Sequence, residues 1–322
     1  MNYRLFMLFK QFEFKRDWII WKGSKIKAGG KIVMVKLGYL GPKGTFSHEA
    51  LKVYKNILER KYSEEVFVKD NKKYCEQAYT SIRDLLFDVE YSKIDEAVVP
   101  LENSLEGSVN ETLDILANEV DLKCKAEVII RIRQNLLIKK GGKSDKIKYI
   151  VSHPQAIGQC KKYISDNFND AEIKLVYSTA GAAEFVANSK GGFAAIGSSI
   201  AAEEYGLDIY AKDIQDGENN FTRFVVISKN DSQKTGSDKT SIVFSTENKP
   251  GSLYRVLDIF SLWDINMTRI ESRPAKKSLG SYIFFVDIEG HRNDEDVHDA
   301  LTMVRKKTSF YKFLGSYPKY KF

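Results

Sequence analysis

From Met34 to about residue 228, short apolar runs alternate with segments whose apolar residues recur at helical spacing. That alternation restricts the fold more than any other feature, because strands separated by helices need crossover connections. The result is an α/β sheet with parallel members and helices packed on it. The pattern predicts strands at 33–40, 65–68, 94–101, two near 121–139, then 147–152, 173–177, 192–197 and 221–228. Helices are predicted at 46–59, 74–88, 108–117, 155–167 and 179–189. At N-D-S-Q-K-T-G-S-D-K (230–239) the chain turns to polar turn formers, the composition of a linker. Beyond it the pattern is strand (240–246), helix (251–263), strand (267–274), strand (280–288), helix (294–306) and strand (309–315). This β-α-β-β-α-β order is ferredoxin-like, in a unit of about 80 residues, small enough to gain from oligomerisation.

The 322 residues fit two or three domains, and 43% hydrophobic with 29% charged residues is a globular composition. The formal charge of +7 is uneven: residues 1–33 carry eight basic and two acidic groups, which leaves +1 for the remaining 289. A nearly neutral body argues against nucleic-acid binding. Cys75, Cys124 and Cys160 are odd in number and far apart, which suits a reducing, cytoplasmic setting with cysteine as a small hydrophobe. The four histidines have no zinc-site spacing, and no motif calls for a cofactor.

Residues 1–33 are aromatic and basic. Lys10, Glu13, Lys15, Arg16 and Asp17 interrupt every apolar run, so neither a signal peptide nor a membrane span is expected. A surface-lying amphipathic helix stays open. The simpler expectation is an extension outside the core, with translation itself starting at Met34.

In open α/β sheets, ligands bind beyond the carboxyl ends of strands. Polar clusters fall at several such ends. G-P-K-G-T-F-S (41–47) opens a helix and offers Thr45 and Ser47; P-L-E-N-S-L-E-G-S-V (100–109) offers Asn103 and Ser104. S-H-P-Q-A (152–156) offers His153, and Y-S-T-A-G-A-A (177–183) offers Ser178 and Thr179. In E-N-N-F-T-R-F-V-V-I (218–227), Thr222 and Arg223 sit between Phe221 and Phe224 where the run turns apolar. Ser and Thr before a helix also serve as caps, and Asn103 and His153 could serve their own turns. Taken together, the clusters favour a cleft for a small polar anion. The glycine spacing matches neither a dinucleotide fingerprint nor a P-loop.

G-Y-L-G-P-K-G-T-F-S-H-E-A, V-V-P-L-E-N-S-L-E-G-S-V, S-H-P-Q-A-I-G-Q-C and N-F-T-R-F, in this order, resemble the prephenate dehydratase family from about Val35 onward. N-K-P-G-S-L (248–253) and E-S-R-P (271–274) resemble its phenylalanine-responsive ACT module. The resemblance implies a two-lobed, periplasmic-binding-protein-like catalytic domain at 34–229, a linker at 230–239 and a ferredoxin-like ACT domain at 240–322. The implied reaction is loss of water and carbon dioxide from prephenate. Thr222 would donate a proton to the leaving hydroxyl with Arg223 beside it. Thr45, Ser47, Asn103, Ser104, His153, Ser178, Thr179 and Phe224 would contact substrate. An aliphatic hydroxyl is a very weak acid, so Thr222 acts as a hydrogen-bond donor that strengthens as charge develops, and His153 is the rival acid. Glu102 is expected to partner a positive group, because a free carboxylate would repel a dianion.

The resemblance also implies L-phenylalanine bound between the ACT domains of two subunits of a homodimer or homotetramer. The implied site comprises Gly251, Leu253, Asn266, Glu271, Ser272, Arg273 and Pro274, with Tyr254 as a departure that bears on affinity. Thirty-three residues are too few for a chorismate mutase unit, so one activity is expected. Arogenate dehydratase is the near alternative and a non-catalytic two-lobed amino-acid sensor the distant one.

Overall fold

The computed structural model describes residues 33–64, 72–142, 147–275 and 281–321, and the backbone of three short strands before them. Residues 1–35 with 56–75 form one compact unit, and 36–55 with 76–322 form another. In the first, β1 (Glu13–Lys15), β2 (Trp18–Trp21) and β3 (Ser24–Lys27) pair antiparallel in that order. The strand expected at 65–68 lies outside the described residues.

The larger unit holds three sheets. The first contains β4 (Val33–Leu40), β5 (Lys72–Tyr79), β6 (Glu96–Asn103), β7 (Gly107–Ser108), β8 (Lys123–Arg131) and β14 (Phe221–Ser228). Its order is β5-β4-β6-β14-β8, with β7 on β6. The second contains β9 (Asn135–Lys139), β10 (Tyr149–Ser152), β11 (Glu172–Leu175), β12 (Phe193–Gly197) and β13 (Leu207–Ala211), in the order β11-β10-β12-β9-β13. The chain leaves the first sheet after β8 and returns as β14, so two strands of backbone join the two lobes. They run side by side: the Ile132 N–H donates to the Asn220 carbonyl (2.7 Å) and the Ile214 N–H to the Gln134 carbonyl (2.8 Å). β4–β6, β10–β11 and β10–β12 are parallel, as crossover helices require; β14 is antiparallel to both neighbours.

The third sheet is β15 (Asp238–Ser245), β16 (Met267–Pro274), β17 (Tyr282–Glu289) and β18 (Phe310–Pro318), in the order β16-β17-β15-β18. Helices Ser252–Leu262 and Glu295–Lys307 cover one face around Ile242, Phe244, Val286 and Ile288. The other face packs on the first lobe. Val243, Ile283, Phe285, Leu314 and Tyr317 share one core with Val225 and Ile227 of β14 and with Leu85, Leu86 and Leu113 of the covering helices. Gly315 makes this contact possible: its φ is +134°, and a Cβ there would lie 2.3 Å from the Cys124 carbonyl oxygen.

Most expected elements appear near their predicted places, with three corrections. Residues 74–88 are not one helix but β5 followed by helix Ile82–Glu90. The helix formers of K-K-Y-C-E-Q-A-Y are overridden by a two-residue alternation of exposure over 73–77, which is that of a strand. The helix proper starts where Ser81 accepts from the Asp84 N–H (3.1 Å), and it buries Ile82, Leu85, Leu86 and Val89 on one stripe. The helix expected at 155–167 breaks at Cys160 into Pro154–Gln159 and Lys161–Asn167. Helix Ser199–Tyr205 and β13 were not foreseen. Burial pushes the thiols of Cys124 and Cys160 up to about 12, so both stay neutral and act as small hydrophobes.

Candidate active site

A cavity of about 560 Å³ lies between the two lobes. Thr45, Ser47, Asn103, His153, Ser178, Thr179, Thr222 and Phe224 all line it, so four separate strand ends meet there as the clusters suggested. Helices Phe46–Glu64, Asn110–Asn118, Pro154–Gln159 and Thr179–Asn188 all start at its wall. Their N-terminal N–H groups make the wall partly positive, and among the described residues no lysine or arginine lines it.

Several hydroxyls also perform structural tasks. Thr45 Oγ1 donates to the Leu40 and Pro42 carbonyls (3.0 Å each) and accepts from the His48 N–H (3.3 Å), which closes the turn before the helix. Ser178 caps its helix by accepting from the Gly181 N–H (2.9 Å). Ser47 is buried against the cavity with its hydroxyl directed to no described partner. His153 Nδ1 accepts from the Gln155 N–H (3.3 Å), so Nε2 is the ring nitrogen left to carry a proton. Gly44, with φ +83°, brings the 41–45 turn against Ala201 of the second lobe, where a Cβ would lie 3.0 Å from the Ala201 Cα. Ser198 Oγ donates to the Gly44 carbonyl (2.9 Å), which latches the lobes there.

Register explains the Thr-Arg-Phe run. β14 pairs with β6 so that Thr222 lies opposite Asn103 and Arg223 opposite Glu102, with an irregularity between Arg223 and Phe224. Successive side chains of a strand point to opposite faces, so Thr222 and Phe224 face the cavity while Arg223 faces the third sheet. Arg223 is absent from the cavity lining, and only 6% of its surface is exposed. Its Nη1 lies 2.6 Å from Asp287 and 3.2 Å from Glu102, and Nη2 donates to the Tyr317 hydroxyl (2.7 Å). Nε is 2.8 Å from Glu127 but its N–H points off the line, so charge rather than an aligned hydrogen bond holds that side. Arg269 pairs with Glu102 (2.9 Å) and more loosely with Glu271 (3.7 Å), and Lys239 with Glu127 (3.1 Å), which makes a network of three cations and four carboxylates. Burial alone would lower the pKa of Arg223, but Tyr317, Asp287, Glu127 and Glu102 raise it well above its usual value. Burial would raise that of Asp287, yet Arg223 and Arg269 hold it below the ordinary carboxylate range.

Asn103 sets the polar geometry on the cavity side. Its Oδ1 accepts from the N–H groups of Leu105 (2.9 Å) and Glu106 (3.0 Å), which fixes which end of the amide is nitrogen. Its Nδ2 then donates to Thr222 Oγ1 (2.8 Å) and to Asn220 Oδ1 (2.8 Å). Because Thr222 Oγ1 accepts that bond, its own proton is free to point into the cavity. Ser104 is not in the lining. Its hydroxyl donates to the Asn219 carbonyl (2.7 Å) and accepts from the Phe221 N–H (2.9 Å), pinning the segment that carries Thr222. Sequence reading missed Asn220, Gln134 and Tyr177 in the lining; the returning segment before β14 was the signal for Asn220.

In the third sheet, alternate residues of β16 reach the first lobe. Glu271 accepts from the Ser108 hydroxyl (2.8 Å), Arg269 Nη2 donates to Ser108 (2.9 Å), and Arg273 forks onto Asp114 (2.9 and 3.1 Å) and bonds Asn110. Ser108 itself lines the cavity. Ser272 and Pro274 lie on the exposed side of this edge strand. Gly251 adopts a left-handed conformation (φ +75°) before helix Ser252–Leu262, whose first N–H groups have no side-chain cap. Leu253 packs against the helical core of this domain, and the Asn266 carbonyl accepts from the Glu289 N–H (2.9 Å).

Comparison with known proteins agrees with this architecture. The family model described as prephenate dehydratase matches residues 37–232, and the ACT domain model matches 240–302. The chain is 42% identical over 285 residues to a bifunctional chorismate mutase/prephenate dehydratase of Aquifex aeolicus, covering 88% of this chain and 74% of that protein. It is 41% identical over 284 residues to the prephenate dehydratase of Methanocaldococcus jannaschii, covering 87% and 97%. The solved prephenate dehydratase of Arthrobacter aurescens, in complex with L-Phe, superposes with a TM-score of 0.77 at 33% identity, covering 88% of this chain and 90% of that one. Two lobes around a cavity walled by the Thr-Arg-Phe strand, with an ACT domain packed behind it, thus coincide with matches over most of the length, and the chain belongs to the prephenate dehydratase family.

Proposed function

We propose that the enzyme converts prephenate to phenylpyruvate in the interlobe cavity, with Thr222 as the proton-donating hydroxyl. The ring carboxylate leaves as carbon dioxide, its bonding pair enters the ring, and the ring C–O bond breaks with its pair on the departing oxygen. That oxygen takes one proton and leaves as water. Aromatisation drives the step, so the protein's task is to hold the dianion and stabilise the departing oxygen. The observation that carries this reading is the Asn103 amide, whose bond to Thr222 Oγ1 (2.8 Å) turns the hydroxyl proton toward the cavity.

Because the cavity wall contains no arginine or lysine among the described residues, anion binding falls to helix N-termini and the neutral donors Ser47, Ser178, Thr179 and His153. Thr45, whose proton is given to the turn's carbonyls, contacts substrate through its methyl and backbone. Arg223 supports Thr222 from the opposite face of β14, and Ser104 holds the adjoining turn. Arogenate carries an ammonium where prephenate has a keto group and would need a carboxylate; Glu106 is the carboxylate among the described lining residues. Assay of wild-type enzyme with each substrate tests the reading. Phenylpyruvate formed faster from prephenate supports it, and turnover of arogenate alone overturns it.

Regulation by L-phenylalanine is the companion reading. The domain division is catalytic 34–229, linker 230–239 and ACT 240–322. The effector's carboxylate meets the uncapped helix after Gly251, beside Leu253 and Asn266, with Glu271–Pro274 of a second subunit's edge strand completing the site. Tyr254, 67% exposed, and Ile270, 46% exposed, are apolar groups that a homodimer or homotetramer would cover. The Glu271–Ser108 bond supplies a physical link from that segment to the cavity wall. No described helix is long and apolar enough to cross a membrane, and three free cysteines support a cytoplasmic placement.

A further inference from the structure

We propose that Asn220 is a catalytic residue: its side-chain NH2 joins the Thr222 hydroxyl in cradling the departing oxygen. The inference rests on the prephenate reaction proposed above and assigns a second donor to it.

Asn220 is the residue at which the chain re-enters the first lobe, two positions before Thr222, and only 3% of its surface is exposed. Its carbonyl holds the Ile132 N–H across the hinge, which fixes its backbone (2.7 Å). Its amide orientation follows from a chain of fixed donors. The Leu105 and Glu106 N–H groups set Asn103, whose Nδ2 can only donate, so the Asn220 atom facing it is Oδ1. Asn220 Nδ2 therefore points away from Asn103 on a residue that lines the cavity, and it donates to no described residue. That nitrogen is not one of the buried polar atoms left without a partner, so it is open to the cavity, where a bound substrate can accept from it.

Thr222 Oγ1 and Asn220 Oδ1 both accept from Asn103 Nδ2, at 2.8 Å each. Asn220 and Thr222 both line the cavity, so the same amide orients two donors that face it. Such preorganised N–H and O–H groups stabilise charge that appears only in the transition state. In the proposed step that charge is on the departing ring oxygen. Asn220 supplies a hydrogen bond to it while Thr222 supplies the proton, with no change to the balance of the reaction.

The test is steady-state turnover of prephenate by wild type, N220D and N220A between pH 5.5 and 8.5, with folding checked by thermal melts. Asn220→Asp keeps an acceptor for Asn103 but removes the donor and adds a negative charge beside the oxygen. The expected result at pH 8 is a fall in kcat of about 100-fold. The ratio of N220D to wild type should climb as pH falls toward 5.5, because a carboxyl buried with no cation in the described cavity wall has a raised pKa and donates again once protonated. N220D within about threefold of wild type, or a ratio flat with pH, would overturn the inference and leave Asn220 as a support for Asn103. If N220D does not fold, N220S carries the test: lowered kcat with little change in KM supports the role, and raised KM with kcat unchanged overturns it. Wild type without any turnover of prephenate would instead strike the reaction itself, and this inference with it.

Discussion

Replacing Asp287 by alanine is expected to loosen the strand that carries Thr222, although Asp287 belongs to the ACT domain and touches no part of the cavity. The Asp287 carboxylate lies 2.6 Å from Arg223 Nη1 and accepts from the Ser241 hydroxyl (2.5 Å). Removing it leaves Arg223 with Glu102 and Glu127, each already shared with Arg269 or Lys239, so the buried guanidinium loses its nearest counter-charge. Breaking a buried pair while its partner stays buried costs about 3–5 kcal/mol, and the two remaining carboxylates place the cost near the lower end. Asp287→Asn keeps the shape and loses only the charge, a loss of about 1.5–3 kcal/mol. Guanidinium unfolding of wild type and both variants measures these losses, and kcat at a denaturant-free temperature measures the effect on Thr222. A double-mutant cycle with Arg223→Met should return a coupling energy of about 2 kcal/mol or more. Unfolding midpoints and kcat unchanged in Asp287→Ala would refute the view that this network supports the catalytic strand.

Other outcomes follow from the same geometry. The Asp287 carboxyl is held below its unfolded value, so its contribution to stability is complete above the ordinary carboxylate range, near pH 4, and is lost as pH falls through its lower folded value. Unfolding midpoints against pH should therefore fall less steeply on acidification in Asp287→Asn than in wild type. His48 stacks on Tyr39 and accepts from the Gly44 N–H (3.1 Å), and burial lowers its pKa, outweighing Glu76. The unfolded chain then takes up the proton first. Stability should decline as pH falls below about 6.5 in wild type, and His48→Phe should flatten that slope. Arg269→Met cuts the links from β16 to Glu102 and Ser108. Calorimetry should still detect L-phenylalanine binding while its inhibition of turnover weakens about tenfold or more; inhibition at wild-type strength would contradict the coupling path.

How far the residues announced this arrangement depends on whether the deciding force was local. Strand and helix periods are local, so β14, β16 and most helices were legible, and so was the convergence of the Thr45, Asn103, His153, Ser178 and Thr222 segments on one cleft. β5 was not, because a half-exposed edge strand can be written in helix-forming residues when the pairing comes from elsewhere in the chain. Arg223 is the instructive case. Proximity to Thr222 in the chain suggests a shared substrate, yet the two-residue period of a strand already forbids adjacent side chains from sharing a face. What no local reading could supply was the identity of its partners, since Asp287 and Tyr317 are 64 and 94 residues away. Asn220 escaped notice for a related reason: its role appears only when Asn103, more than a hundred residues earlier, fixes its amide.

The central claim is that the Thr222 hydroxyl assists departure of the ring oxygen, and steady-state kinetics of Thr222→Val on prephenate test it most directly. The account predicts kcat lowered by about 100-fold or more with KM moved little, the mark of an interaction made in the transition state. Near-wild-type turnover by Thr222→Val, with loss in His153→Ala, would contradict it and hand the proton to the imidazole.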